Sequence, residues 1–161
     1  MKQETQAIIA SHDVLAGRNE GPQPRQDPDE TLTVHVIWTG DAATAAALRS
    51  ASRLAAFAEG RVCLDVLYQV PFALPLHQPQ APAAWLHSHY RNFVDSAGAQ
   101  ASIHICLCRD ELEAVKDLFQ TPAIVVVGGK KRTWLNKERR LARLLERLGH
   151  EVLFVCDEVK Q

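Results

Sequence analysis

Several things are missing from this chain, and each absence removes a class of function. No stretch of its 161 residues approaches the roughly 18 consecutive apolar positions of a membrane span. The first residues, MKQETQAIIASHDVL, lack the basic start and long apolar run of a secretory signal, so a cytoplasmic location is expected. Net charge is only −1, which gives no global pull toward nucleic acid or an anionic membrane. There is no G-x-S-x-G elbow and no motif joining serine, histidine and an acid. No catalytic residue is therefore expected, and the chain does not read as an enzyme. Metal-ligand spacing is also missing. His87 and His89 are two apart on a helical segment and diverge by about 200°, whereas a helical metal pair needs i and i+4. The four cysteines (Cys63, Cys106, Cys108, Cys156) all fall in apolar, strand-like runs. They read as reduced core residues, Cys106 and Cys108 facing the same side of one strand, with no bound metal expected. His35 and His104 lie inside strands and read as satisfied structural histidines.

What is present is an aliphatic α/β pattern. The apolar fraction of 47 % suffices for a core. Residues 1–30 read as a flexible leader, because Arg18 to Glu30 carries three prolines, one glycine and no aliphatic residue. A short helix from Thr5 to Leu15 is the alternative for its first part, with Ile8, Ile9, Val14 and Leu15 on one face. Residues 31–157 then alternate regularly. Strands are expected at Leu32–Trp38, Arg61–Tyr68, Ala101–Cys108, Ala123–Val127 and Glu151–Val155. Helices are expected at Ala42–Glu59, Ala84–Ala97, Asp110–Phe119 and Thr133–Leu148. A proline-rich loop spans Gln69–Pro82, and residues 158–161 form a tail. Strands separated by helices of this length indicate a parallel sheet covered on both faces. The expected fold is an open five-stranded, doubly wound sheet of strand order 3-2-1-4-5. Its ligand crevice lies at the carboxyl ends of the strands, at the switch point.

Two turns fall there: Thr39-Gly40-Asp41 after the first strand, and Gly128-Gly129-Lys130-Lys131-Arg132 after the fourth. The second follows four β-branched residues, Ile124 to Val127, which read as a buried strand. Its two glycines are expected to turn the backbone sharply, and the next helix to aim its amide groups at that turn. Lys130, Lys131 and Arg132 are then either a solvated basic loop or an anion site. Between Lys130 and Arg147 eight basic residues face two acidic ones, an excess of six that leaves the rest of the chain at about −7 (−1 minus 6). Arg139, Arg143 and Arg147 line one helix face, either as a solvated stripe or as a surface for an acidic protein partner. Trp134 is expected at a core edge.

In order, these features resemble the universal stress protein family over residues 32 to 156. The first strand and its turn, Ile37-Trp38-Thr39-Gly40-Asp41, precede an alanine-rich helix that includes Ala47-Leu48-Arg49-Ser50-Ala51. The second strand, Cys63-Leu64-Asp65-Val66-Leu67-Tyr68, and the final unit through Glu151-Val152-Leu153-Phe154-Val155 look alike too. Nucleotide-binding members carry glycine, two residues, glycine, nine residues, glycine, then serine or threonine after strand four. Counted from Gly128, the later glycines fall on Lys131 and Leu141; counted from Gly129, on Arg132 and Ala142. The run Gly129-Lys130-Lys131-Arg132-Thr133-Trp134 also resembles the related domain of bacterial potassium-sensing histidine kinases. The resemblance implies a stress-related or regulatory interaction module that is not an enzyme, with weak or lost ATP binding and no required cofactor. The alternative is a sensor that binds ATP or a cyclic dinucleotide at the basic turn. It also implies a homodimer formed along the last strand, through Val152, Leu153, Phe154 and Val155.

Overall fold

The computed structural model describes residues 6–10, 31–131 and 136–157. The elements in chain order are β1 (Gln6–Ala10), β2 (Thr33–Ile37), α1 (Asp41–Phe57), β3 (Arg61–Gln69), α2 (Ala83–Ser96), β4 (Ser102–Cys108), α3 (Glu111–Leu118), β5 (Ile124–Lys130), α4 (Lys137–Arg147) and β6 (Glu151–Asp157). They build one sheet of order β1-β4-β3-β2-β5-β6. The five strands from β2 onward are parallel to one another, and their order is the expected 3-2-1-4-5.

β2 holds the centre because its residues are apolar on both faces: Val34, Val36 and Ile37 are fully buried. On one face, Val34, Val36, Val62, Leu64 and Ile103 pack under α1 and α2. On the other, Ile37, Leu67, Cys106, Val125 and Val127 pack under α3 and α4. Cys106 and Cys108 share that second face, as strand alternation requires. α1 meets the sheet through Ala43, Ala46, Ala47, Ala51 and Ala55, and these small side chains bring its axis close. Trp38 stands edge-on to Tyr90 and Phe93 of α2, with ring centroids 4.9 and 4.6 Å away.

The structure departs from the sequence reading in four places. Residues 6–10 form a strand, where a flexible leader was expected and a helix was the alternative, and pair antiparallel with β4 at the sheet edge, with a register shift between Ala7 and Ala10. The sheet therefore has six strands. The other residues of the leader and the tail 158–161 lie outside the described residues. β5 does not end at Val127. It runs on through Gly128 and Gly129 to Lys130, which pairs with Asp157 of a correspondingly longer β6. Finally, α4 starts at Lys137 behind an Asn136 cap, where a start at Thr133 was expected.

The proline-rich loop is held by a residue that its own sequence does not contain. Arg109, just beyond β4, donates to the carbonyls of Val70, Pro71 and Leu74, at 3.0, 2.5 and 2.8 Å. Its guanidinium also lies over the Phe72 ring.

Candidate functional site

The strand ends expected to form the crevice do come together. Thr39 leaves β2 with its amide donating to Thr44 Oγ1 at 3.0 Å, and its own hydroxyl donates to the Gly128 carbonyl at 2.8 Å. Gly40 follows at φ 122°, a conformation that needs glycine, and begins α1 without a side-chain cap. Asp41 is exposed in the first turn of α1. Thr39, Gly40, Asp41 and Gly128 thus share one end of the sheet, with Gly129 and the exposed Lys130 and Lys131 continuing from β5. Arg132 and Trp134 lie outside the described residues.

The two glycines have a different task from the one read in the sequence. They make no turn: both are buried strand residues paired with Val155 and Cys156. A β-carbon on Gly128 would run into the Ala43 carbonyl of α1, and one on Gly129 into the Phe154 ring. Glycine is needed here so that a helix and an aromatic ring can sit directly on the strand. In α4 one first-turn amide is already taken. The Asn136 side chain accepts the Arg139 amide at 3.1 Å. Acidic residues stand in the first turns of both flanking helices, Asp41 in α1 and Glu138 in α4, where helix dipoles favour negative charge.

On the basic helix, Arg143 and Arg147 are exposed, and Arg147 donates to the Arg143 carbonyl. Arg139 lies instead over the Phe154 ring, 4.6 Å from its centroid. β6 is a sheet edge, as expected. Val152 and Phe154 turn toward the α3/α4 core, Val155 packs against the other core, and Leu153 is 44 % exposed.

A second polar constellation lies in the middle of the sheet. Asp65 of β3 is 1 % exposed and accepts from His35 of β2 at 2.7 Å and His104 of β4 at 3.1 Å. Both histidines are thereby satisfied, as read from the sequence. Burial alone would raise the Asp65 carboxyl; hydrogen bonds from His104 and His35 outweigh it and hold the group below its usual range. The Cys63 thiol, two residues before Asp65 on the same face, points at the same carboxylate, 3.8 Å away. Burial, and then the charge of Asp65, pushes that thiol up to about 12. A recess of about 1160 Å³ opens at the amino-terminal ends of β3 and β4, away from the crevice, and Cys63, Arg91, Ser102 and His104 line it. The sequence signal for this cluster was Asp65 itself. A carboxylate in the centre of an apolar strand must find buried partners.

No protein-family model matches the sequence, and no curated protein matches it. Solved structures do match. A universal stress protein in complex with cAMP aligns with a TM-score of 0.51 at 19 % identity, covering 80 % of this chain and 98 % of that one. A universal stress protein from Archaeoglobus fulgidus aligns with a TM-score of 0.49 at 13 % identity, covering 77 % and 93 %. At such identities the likeness concerns architecture: the parallel sheet of this chain and the helices on its two faces form the fold of the universal stress proteins.

Proposed function

We propose that this protein is a non-enzymatic regulatory module of the universal stress type, acting by association, with weak or lost ATP binding. The observation that carries the reading is the course of β5. A strand that continues through Gly128 and Gly129, with Ala43 and Phe154 packed on them, makes no turn at these glycines from which their amides could ring a phosphate. The Thr39–Gly128 hydrogen bond draws the crevice together, and Asp41 and Glu138 oppose an anion beside it. The favoured partner is a second copy docked along β6, where Leu153 is exposed on an edge that no other described strand pairs. Arg143 and Arg147 offer a separate basic surface to an acidic protein.

Isothermal titration with ATP tests the loss of the nucleotide site. No saturable heat at micromolar protein is expected, and a micromolar dissociation constant would overturn the reading. A second reading, nucleotide sensing, is favoured by the cAMP complex of the matching structure. Thermal shift with cAMP and cyclic dinucleotides separates the two, because a ligand at 100 times its Kd stabilises by about 2.7 kcal/mol. If such a shift occurs, replacing Lys130 and Lys131 together by alanine abolishes it when the basic end of β5 is the site. An unchanged shift in that variant places the ligand elsewhere.

A further inference from the structure

Three donor side chains converge on one face of the sheet without any sequence motif. His35, Cys63 and Asp65 each offer one ligand atom, and these atoms lie within 4.8 Å of one another. The sheet itself sets their positions. His35 and Cys63 are direct cross-strand partners in the β2–β3 register, and Asp65 follows Cys63 by two residues, so it returns to the same face. Asp65 is in turn the cross-strand partner of His104 in the β3–β4 register. The donors rest on two adjacent parallel strands, β2 and β3, with His104 on the next strand, β4, rather than on loops.

We propose that His35, Cys63 and Asp65 bind a zinc ion, with His104 orienting the Asp65 carboxylate. One imidazole nitrogen, one sulfur and one carboxylate oxygen make the mixed, borderline-soft donor set that suits zinc better than magnesium or calcium. With zinc–ligand bonds of about 2.0–2.3 Å, tetrahedral donor atoms stand roughly 3.3–3.7 Å apart. The His35 nitrogen lies 2.7 Å from Asp65 Oδ2 and the Cys63 sulfur 3.8 Å from Oδ1, the oxygen that His104 also contacts, so zinc on Oδ2 requires the His35 pair to open by less than an ångström and the sulfur to swing across from Oδ1. The ion takes the place of the proton in the His35–Asp65 hydrogen bond, and that proton leaves Nδ1 for solvent or, in a neutral ring, is replaced by one on Nε2. Coordination by sulfur expels the Cys63 proton to solvent, so that the thiolate, the neutral imidazole and the carboxylate face the metal.

His104 stays on the other carboxylate oxygen as a hydrogen-bond donor, the arrangement by which an outer residue holds a metal-binding carboxylate in place. The fourth position is left to water. Access is available because the side chains of His35 and His104 are 24 % and 28 % exposed, and the recess beside β3 and β4 reaches Cys63 and His104. This site is separate from the crevice at Thr39 and Gly128, so it stands or falls independently of nucleotide binding.

Cobalt(II) titration of the full chain, stripped of metal with a chelator, tests the assignment. One equivalent should bind with a sulfur-to-cobalt charge-transfer band and tetrahedral ligand-field bands, and zinc should displace it. Cys63→Ser should lose the charge-transfer band, while Cys156→Ser keeps it. His104→Gln should keep the band but weaken binding by about 10- to 100-fold, as an orienting residue does. Absence of the band at equimolar cobalt, or its survival in Cys63→Ser, overturns the site. A second measurement needs no variant. Zinc should slow alkylation of Cys63 but not of Cys156, read by mass spectrometry; equal rates with and without zinc also overturn it.

Discussion

At the scale of single residues, Gly128 has the least room for a side chain of the described glycines. Its missing β-carbon leaves room for the backbone of Ala43, which cannot move aside without shifting α1. Gly128→Ala is expected to cost about 1–3 kcal/mol, the usual penalty of over-packing, read as a lower urea midpoint. Gly129→Ala meets the end of the Phe154 side chain instead and should cost less. His150 governs a pH effect. Its Nδ1 accepts the Ala123 amide at 3.2 Å, which requires a neutral ring. Burial, then the charge of His35, lowers its pKa below 6.5. The unfolded chain thus takes up the proton first as the medium acidifies. The stabilisation is complete above about pH 6.5 and disappears as pH falls through the lower native value. His150→Gln keeps an acceptor but does not titrate. Its melting temperature should therefore decline less than that of the wild type between about pH 7.5 and about pH 5, and parallel declines would refute this role.

At the scale of elements, the helix ends and the long loop are fixed by particular side chains. Asp110 and Asn136 cap α3 and α4 by accepting the amides of Glu113 and Arg139. Lys137 of α4 pairs with Glu111 of α3 at 2.7 Å, tying the two helices on that face. Arg109 is expected to matter more than either cap. Arg109→Ala removes a charged donor from three loop carbonyls, which should cost about 2–3 kcal/mol. It should also expose the segment from Pro71 to Pro82 to rapid proteolysis, seen as early cleavage there by mass spectrometry. A loop as resistant as the wild type would show that its own prolines hold it.

These elements also show what could be read in advance. The alanines of α1, the alternation of β3 and the β-branched run of β5 each carry their structure in local pattern. The Gly128-Gly129 pair does not, because glycine serves a sharp turn and a close helix approach equally well. Choosing between them requires knowing that Ala43 and Phe154 arrive there. Gln6–Ala10 was missed for a related reason. A five-residue edge strand owes its form to hydrogen bonds from β4, not to its own sequence. His35 and Asp65 were each visible, but their pairing depends on the β2–β3 register, which crossover packing sets.

For the whole molecule, the order of strands decides which surfaces are available for assembly. Among the described residues no helix is long and apolar enough to cross a membrane. The edges of the sheet are β1 and β6. Association along β6 would satisfy its unpaired backbone groups and cover Leu153. The wild type is expected to scatter light as a dimer at micromolar concentration. Leu153→Pro, once its folding is confirmed by circular dichroism, should be monomeric because proline removes a backbone donor from the edge. A monomeric wild type, or a dimeric variant, would place the interface elsewhere.

The inequality of the two edges has a consequence for valency. β6 is a seven-residue strand running parallel to its neighbour, whereas β1 is a five-residue antiparallel strand interrupted by a register shift. Short, irregular strands are poor templates for further pairing. A sheet with one good end and one blunt end has a single attachment point. If two copies join at their good ends, as proposed, only blunt ends are left outward and growth would stop at two. Removing residues 6–10 would expose β4 as a second regular edge. The chain would then become a divalent unit, able to add copies at both ends and so to polymerise.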